Sequence, residues 1–431
     1  MRWTALCTTL ALLALLICQC SDSRITNNDN PTPVPQYTMA DLTATDHELL
    51  EAGSQFAPEI FRRICESREI DENVFVSPLS ISVALGMVHA GAAGETQQAI
   101  SQALRLPAGM TLDQVNESYR TIMKVLPGLD PRTTVSLANA VWYRQSLTLH
   151  GSFQTICRDY FDAAVRGMDF DDPATVDTIN SWVDDKTRGL ISEIVASPLP
   201  RDLVALLANA IYFKGDWTYS FDPDFTKPQV FHRADGSEVI RDMMYLDTDS
   251  LLDDNSRRDT TVLYASTQLF WAASLPYGNG ALRMTVLSPT RDHTADDIIG
   301  AFTAESWAEW RGLLRPASFE LALPKFRFEF EQPLKDQLVD MGMGPAFDPF
   351  VANFDSMFVD ADVFISQALH KSFVQVDEVG TEAAAVTVIA MGTTSLEKQL
   401  IRCDRPFVFV IHESTTGTIL FAGRVADPVW Q

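Results

Sequence analysis

The sequence predicts an α+β chain, on three observations. Apolar residues fall at helical spacing over Asp46–Ser67 and run nearly continuously over Leu79–Ala90. Period-two alternation or short apolar runs recur from Thr133 onward, at Thr133–Trp142, Leu203–Phe213 and Phe319–Phe330. The two patterns interleave without a composition break after the N-terminal leader and its polar sequel. A length of 431 residues alone suggests two or three domains, but nothing in the composition marks a division.

The first 20 residues read as an export signal. Arg2 gives the positive start, and Leu6–Ile17 is an apolar run too short to span a bilayer comfortably. Cys18 and Cys20 lie where a bacterial lipoprotein carries its lipidated cysteine, although Ile17 and Gln19 precede them instead of small residues. The chain is therefore expected to be secreted or extracellular, either free or lipid-anchored at a bacterial cell envelope. Residues 21–45, polar and Pro-bearing at first, are expected to form a disordered tether.

In Asp46–Ser67, Leu49, Leu50, Phe56, Ile60, Phe61 and Ile64 form the apolar stripe, and Pro58 is expected to bend or interrupt the helix. Ser77 suits an N-cap and Pro78 a first helical position. Leu79–Ala90 is apolar nearly all round and should be buried. Leu203–Phe213 suits a strand covered on both faces. Phe270–Tyr277 and Ala281–Pro289 flank Gly278-Asn279-Gly280 as a hairpin. Thr294–Phe302, Ala304–Leu313 and Leu334–Met341 read as helices. Phe319–Phe330 alternates as one strand with Leu323-Pro324-Lys325 inside it. Val363–Val376 leads toward an Ala-rich segment, and Phe407–Ile411 and Thr418–Gly423 are apolar strands.

Composition excludes several functions. There are 33 basic against 57 acidic residues, a net charge of −24, which argues against nucleic-acid binding. Cys65, Cys157 and Cys403 are odd in number and widely spaced, so free buried thiols are expected, not a disulfide framework or metal site. Asn116-Glu117-Ser118 is a glycosylation sequon. There is no Gly-x-Ser-x-Gly elbow or phosphate loop, and His412-Glu413 lacks the second His of a zinc protease. Neither catalysis nor a cofactor is expected.

Glu378–Ser395 stands apart. After Val379 its single charge is Glu382. Read as a strand, one face carries Thr381, Ala383, Ala385, Thr387, Ile389 and Met391, and the other carries Glu382, Ala384, Val386, Val388 and Ala390. Gly380 and the alanines are poor strand formers. That composition suits a hinge, but taken alone it favours an Ala-rich helix or a flexible loop over a strand.

Glu378-Val379-Gly380-Thr381-Glu382-Ala383-Ala384-Ala385 resembles the proximal hinge of the reactive-centre loop of an inhibitory serpin. Ile401-Arg402-Cys403-Asp404-Arg405-Pro406-Phe407 with the following Val408–Ile411 is similar to the serpin C-terminal signature, and Asn209–Gly215 followed by Trp217 to another serpin motif. The resemblance covers roughly Asp46 to Pro428. It implies one domain over residues 46–431, with a large, mostly antiparallel central sheet, additional sheets, about eight or nine helices and an exposed loop. It places Leu79–Ala90 behind the main sheet, opens a helix at Gly94-Glu95-Thr96, and sends the helix ending near Trp182 across the sheet face.

The resemblance also implies roles. His370 would be the shutter histidine, near Asn209 and Ser77. Trp217 and Lys325 would lie at the breach, with Lys325 paired to Glu378. The partner would be a target protease, held covalently by a monomeric inhibitor. Family loop length puts the reactive bond between Thr394 and Ser395, or, counted back from Pro406, between Ser395 and Leu396. No basic residue lies from Thr387 to Leu396, so an elastase-like or subtilisin-like target fits better than a trypsin-like one. A papain-like target and a non-inhibitory serpin are the alternatives.

Overall fold

Residues 35–248, 261–381 and 399–430 are described by the structure, a computed structural model. The helices are α1 (Ala44–Glu66), α2 (Pro78–Gly91), α3 (Gly94–Ala103), α4 (Leu112–Gly128), α5 (Gly151–Phe161), α6 (Ala174–Lys186), α7 (Ala295–Ala301) and α8 (Ala304–Leu313). Two single turns follow, α9 (Lys335–Leu338) and α10 (Gly344–Phe347). The strands begin with β1 (Val74–Val76), β2 (Thr133–Arg144), β3 (Ala163–Met168), β4 (Ala205–Asp216), β5 (Lys227–His232) and β6 (Glu238–Asp247). Next come β7 (Leu263–Ser266), β8 (Phe270–Pro276), β9 (Leu282–Pro289), β10 (Arg315–Pro316), β11 (Phe319–Pro324) and β12 (Phe326–Pro333). The last are β13 (Leu369–Val376), β14 (Gly380–Thr381), β15 (Gln399–Arg402), β16 (Phe407–Glu413) and β17 (Ile419–Val425).

Local chemistry sets the helix starts. Thr43 caps α1, its hydroxyl accepting from the N–H of Asp46 while the Asp46 carboxylate accepts from the N–H of Thr43. Ser77 caps α2 by accepting from the N–H of Ser80, and Pro78 fills the first position as expected. Pro58 does not interrupt α1, which runs through it. An interior proline costs about 3 kcal/mol. Phe56, Ile60, Phe61 and Ile64 are all buried there, and each contributes roughly 1.5–3 kcal/mol. Burial therefore outweighs the lost bond.

Residues 36–45, expected to belong to the disordered tether, include a short helical turn at Met39–Asp41 and the start of α1. The N–H groups of Gln36 and Tyr37 donate to the carbonyl of Gly128, and Lys124 lies over the Tyr37 ring. Residues 1–34, with Cys18 and Cys20, lie outside the described residues.

The largest sheet is β1-β17-β16-β9-β8-β7-β10, antiparallel throughout. β9, β16 and β17 are buried at every residue, so both faces are covered. A second sheet, β15-β11-β6-β5, contains one parallel pair, β11 with β15. The stretch predicted as one strand from Phe319 to Phe330 breaks at Lys325, and its halves, β11 and β12, join different sheets. Pro324 has no N–H for a ladder, and the N–H of Lys325 donates to Asp242 instead.

The remaining strands form β14-β4-β2-β3 and the pair β12-β13. Among the described residues, no ladder joins β4 to β13. α2 packs against β4 and β17, with every residue but Ala84 buried. Trp182 of α6 meets Trp142 of β2 edge-on, placing α6 on the other face of this sheet. The lower part of β4, Ala205–Leu207 and Asn209, is only half-buried. The covering predicted on both faces is incomplete there because its β13 side is unpaired. Cys65, Cys157 and Cys403 are free and buried. Asn116 is fully buried in α4, so its sequon is closed to a glycan in the folded chain.

Candidate functional site

The site is built where β13 turns back toward β4. At the end of β13 the carboxylate of Asp377 accepts the N–H groups of Val379 (3.0 Å) and Gly380 (3.3 Å), and its own N–H donates to the Gly380 carbonyl (3.0 Å). This Asx-type turn reverses the chain. Gly380 and Thr381 then pair antiparallel with Asp216 and Gly215 of β4. A Cβ on Gly380 would collide with the Gly215 carbonyl; glycine is required for this approach. Gly380 and Thr381 of the predicted hinge therefore lie in the sheet. Glu382, Ala383, Ala384 and Ala385 lie outside the described residues, as do Thr394, Ser395 and Leu396.

Lys325 and Trp217 both reach the turn at residues 377–379. Lys325 Nζ is 2.9 Å from Glu378 Oε2, and Thr226 Oγ1 donates to Glu378 Oε1 at 2.9 Å. Burial raises the Glu378 carboxyl, but the bonds from Lys325 and Thr226 outweigh it and hold the group below its usual range. Trp217 is buried, donates its indole N–H to the Asp377 carbonyl (3.0 Å) and its backbone N–H to that of Val379 (2.8 Å). Its ring stacks on Tyr277, centroids 4.4 Å apart.

The shutter residues converge on the start of α2. His370 Nε2 accepts the N–H of Ser77 at 3.2 Å. Burial pushes its pKa down to about 4, so the ring stays neutral and able to accept. Ser77 Oγ donates to Leu420 O (2.8 Å), and Ser80 Oγ donates to Asn209 Oδ1. Asn209 Nδ2 reaches Asn139 Oδ1 at 2.6 Å, and Asn139 donates to Phe161 O at 2.7 Å. His370 on β13 and Asn209 on β4 are thus linked through α2, not directly. Between them lies a cavity of about 100 Å³ bounded by Ile81, Leu85, Leu207, Asn209, Leu334 and His370.

A family model described as serpin (serine protease inhibitor) matches residues 51–428. The chain belongs to the serpin family. Antithrombin-III of Homo sapiens is 30% identical over 391 residues, covering 88% of this chain and 82% of its own. An uncharacterised serpin-like protein of Thermococcus kodakarensis is 31% identical and covers 99% of each chain. The thermophilic serpin tengpin in its native state matches with a TM-score of 0.78 at 26% identity, covering 88% of this chain and 94% of that one. Its latent state matches at 0.73.

Sequence reasoning missed several members of this serpin site. Asp377 makes the turn, Gly215 gives the hinge room, and Ser80 and Asn139 carry the network across to β4. Asp377 carried a usable signal, since an Asp three residues before a glycine, at the end of a strand, suits an Asx turn. Ser80 and Asn139 carried none, because their partners are remote in sequence.

Proposed function

We propose that this serpin inhibits endopeptidases as a suicide substrate. The target's nucleophile attacks the carbonyl carbon before Ser395 or Leu396. The acyl bond to the enzyme forms as the peptide C–N bond breaks, and the new amine leaves with a proton. The freed hinge then continues the strand that β14 begins, entering between β4 and β13 before water can deacylate the enzyme. The observation that carries this reading is the hinge itself: β14 is paired on β4 at Gly380–Thr381, while β4 and β13 share no ladder. The residues that follow, Ala383 and Ala385 on the same face as Thr381, are small enough to enter. The uncharged stretch before the bond favours elastase-like or subtilisin-like targets.

Incubation with elastase, subtilisin, chymotrypsin, trypsin and papain, read on denaturing gels with mass spectrometry, tests this. The expected result is a complex that survives denaturation and a C-terminal fragment beginning at Ser395 or Leu396. Loop cleavage by these enzymes with no complex from any of them would refute it. Ala385→Arg should abolish the complex while leaving cleavage intact, because a charge on the inward face costs several kcal/mol to bury, roughly 2–7 or more.

A further inference from the structure

Tyr277 ends the β8 side of the hairpin beneath β4, and its ring is locked by Trp217 on one face and by Phe213 edge-on, at 5.1 Å. It is fully buried. Its hydroxyl shares a hydrogen bond of 2.8 Å with the Thr381 hydroxyl. Among the described residues this is the partner recorded for that hydroxyl. Burial raises the phenol's pKa, so it stays protonated and needs a partner. The room comes from Gly215, opposite Thr381 in the register: a Cβ there would stand 2.8 Å from the Tyr277 ring. Gly215, Tyr277 and Thr381 make a socket that fits a hydroxyl-bearing side chain, and Thr381 is buried in it.

We infer that Tyr277 is a positioning residue for the hinge: its hydroxyl holds Thr381 inside the sheet before cleavage, so that insertion starts from a docked residue. The effect on inhibition rests on the proposed function; the docking does not. Docking sets where the loop rests and shortens the interval in which deacylation competes. A residue without a hydroxyl at position 381 leaves the Tyr277 hydroxyl buried without that partner, which disfavours the docked state.

The test uses the full chain with Tyr277→Phe, Thr381→Val, Thr381→Ser and the double variant Tyr277→Phe/Thr381→Val. Hydrogen exchange of the Trp217 amide, which donates to the Val379 carbonyl, reads the docking without any protease. Both single hydroxyl deletions should speed exchange roughly five-fold, the size of one net buried hydrogen bond. Thr381→Ser should restore the wild-type rate, and the double variant should fall no further than Thr381→Val, since the two groups act as one pair. With a trapped protease, the same variants should shift the ratio of cleaved to trapped inhibitor toward cleavage by a similar factor. Unchanged exchange in Tyr277→Phe, or additive effects in the double variant, would overturn the inference. If the wild type trapped no protease, the inhibitor reading would fail and the exchange result would still decide the docking.

Discussion

Burial holds three histidines uncharged. The pKa of His370 and of His89 is pushed down to about 4, and that of His412 to about 3. Below 6.5 the unfolded chain takes up protons that the folded chain refuses. Stability is therefore fully present above pH 6.5 and falls as the pH drops toward 4, by up to about 1.4 kcal/mol per pH unit for each histidine. Denaturant midpoints measured from pH 7.5 to 5 should fall along this slope, and His370→Asn should flatten it by one histidine's share. A midpoint constant over that range would contradict the assignment. Glu378 works lower on the scale. Its pKa is held below the ordinary 4.5, so its contribution is present above that value and lost as pH falls through the depressed one. Lys325→Met leaves the buried Glu378 carboxylate without its cation but still bonded to Thr226, and should cost about 1–2 kcal/mol at neutral pH, between an exposed pair and a buried charge left alone. Chemical denaturation checks it, and no loss would place the pair among the solvated ones.

Elements were legible where one local rule decides them. Ser77-Pro78 announced the start of α2, the all-apolar run announced its burial, and Gly278-Asn279-Gly280 announced the β8–β9 turn. Legibility failed where the decision is tertiary. The change of sheet at Lys325 left one local sign that a single-strand reading passes over: the apolar residues Phe319, Leu321 and Leu323 sit at odd positions and Phe326, Phe328 and Phe330 at even ones, so the alternation shifts phase there. Pro58 reads as a helix breaker until the buried residues around it are weighed. Tyr277 reads as a strand-end aromatic, and only the fold brings it to Thr381 across 104 positions. The hinge was legible as a resemblance, whereas its composition alone left helix, loop and strand open. At this scale Gly380→Ala should push β14 off β4, because its Cβ meets the Gly215 carbonyl. The expected outcome is loss of amide protection at Trp217, measured by hydrogen exchange; retained protection would show that β14 tolerates a side chain there.

Across the whole molecule, the seven-stranded sheet has strands covered on both faces, whereas the seam between β4 and β13 carries no ladder among the described residues, and the proposed insertion takes place there. The seam is spanned by side chains, through Ser77, Ser80, Asn209 and His370, rather than by a ladder. Such a network can be re-paired when a strand arrives, which a continuous backbone ladder would resist. An arriving strand gains a ladder on each side at a net 0.5–1.5 kcal/mol or so per bond. At about 2 cal/mol/K of unfolding entropy per residue, each kcal/mol raises the melting temperature of a domain of this size by roughly 1 °C. The most direct measurement is thus the melting temperature of the chain before and after its loop is cut between residues 387 and 396. A cut loop that enters the seam should raise it by about ten degrees or more. An unchanged or lowered melting temperature in the cut chain would contradict insertion between β4 and β13.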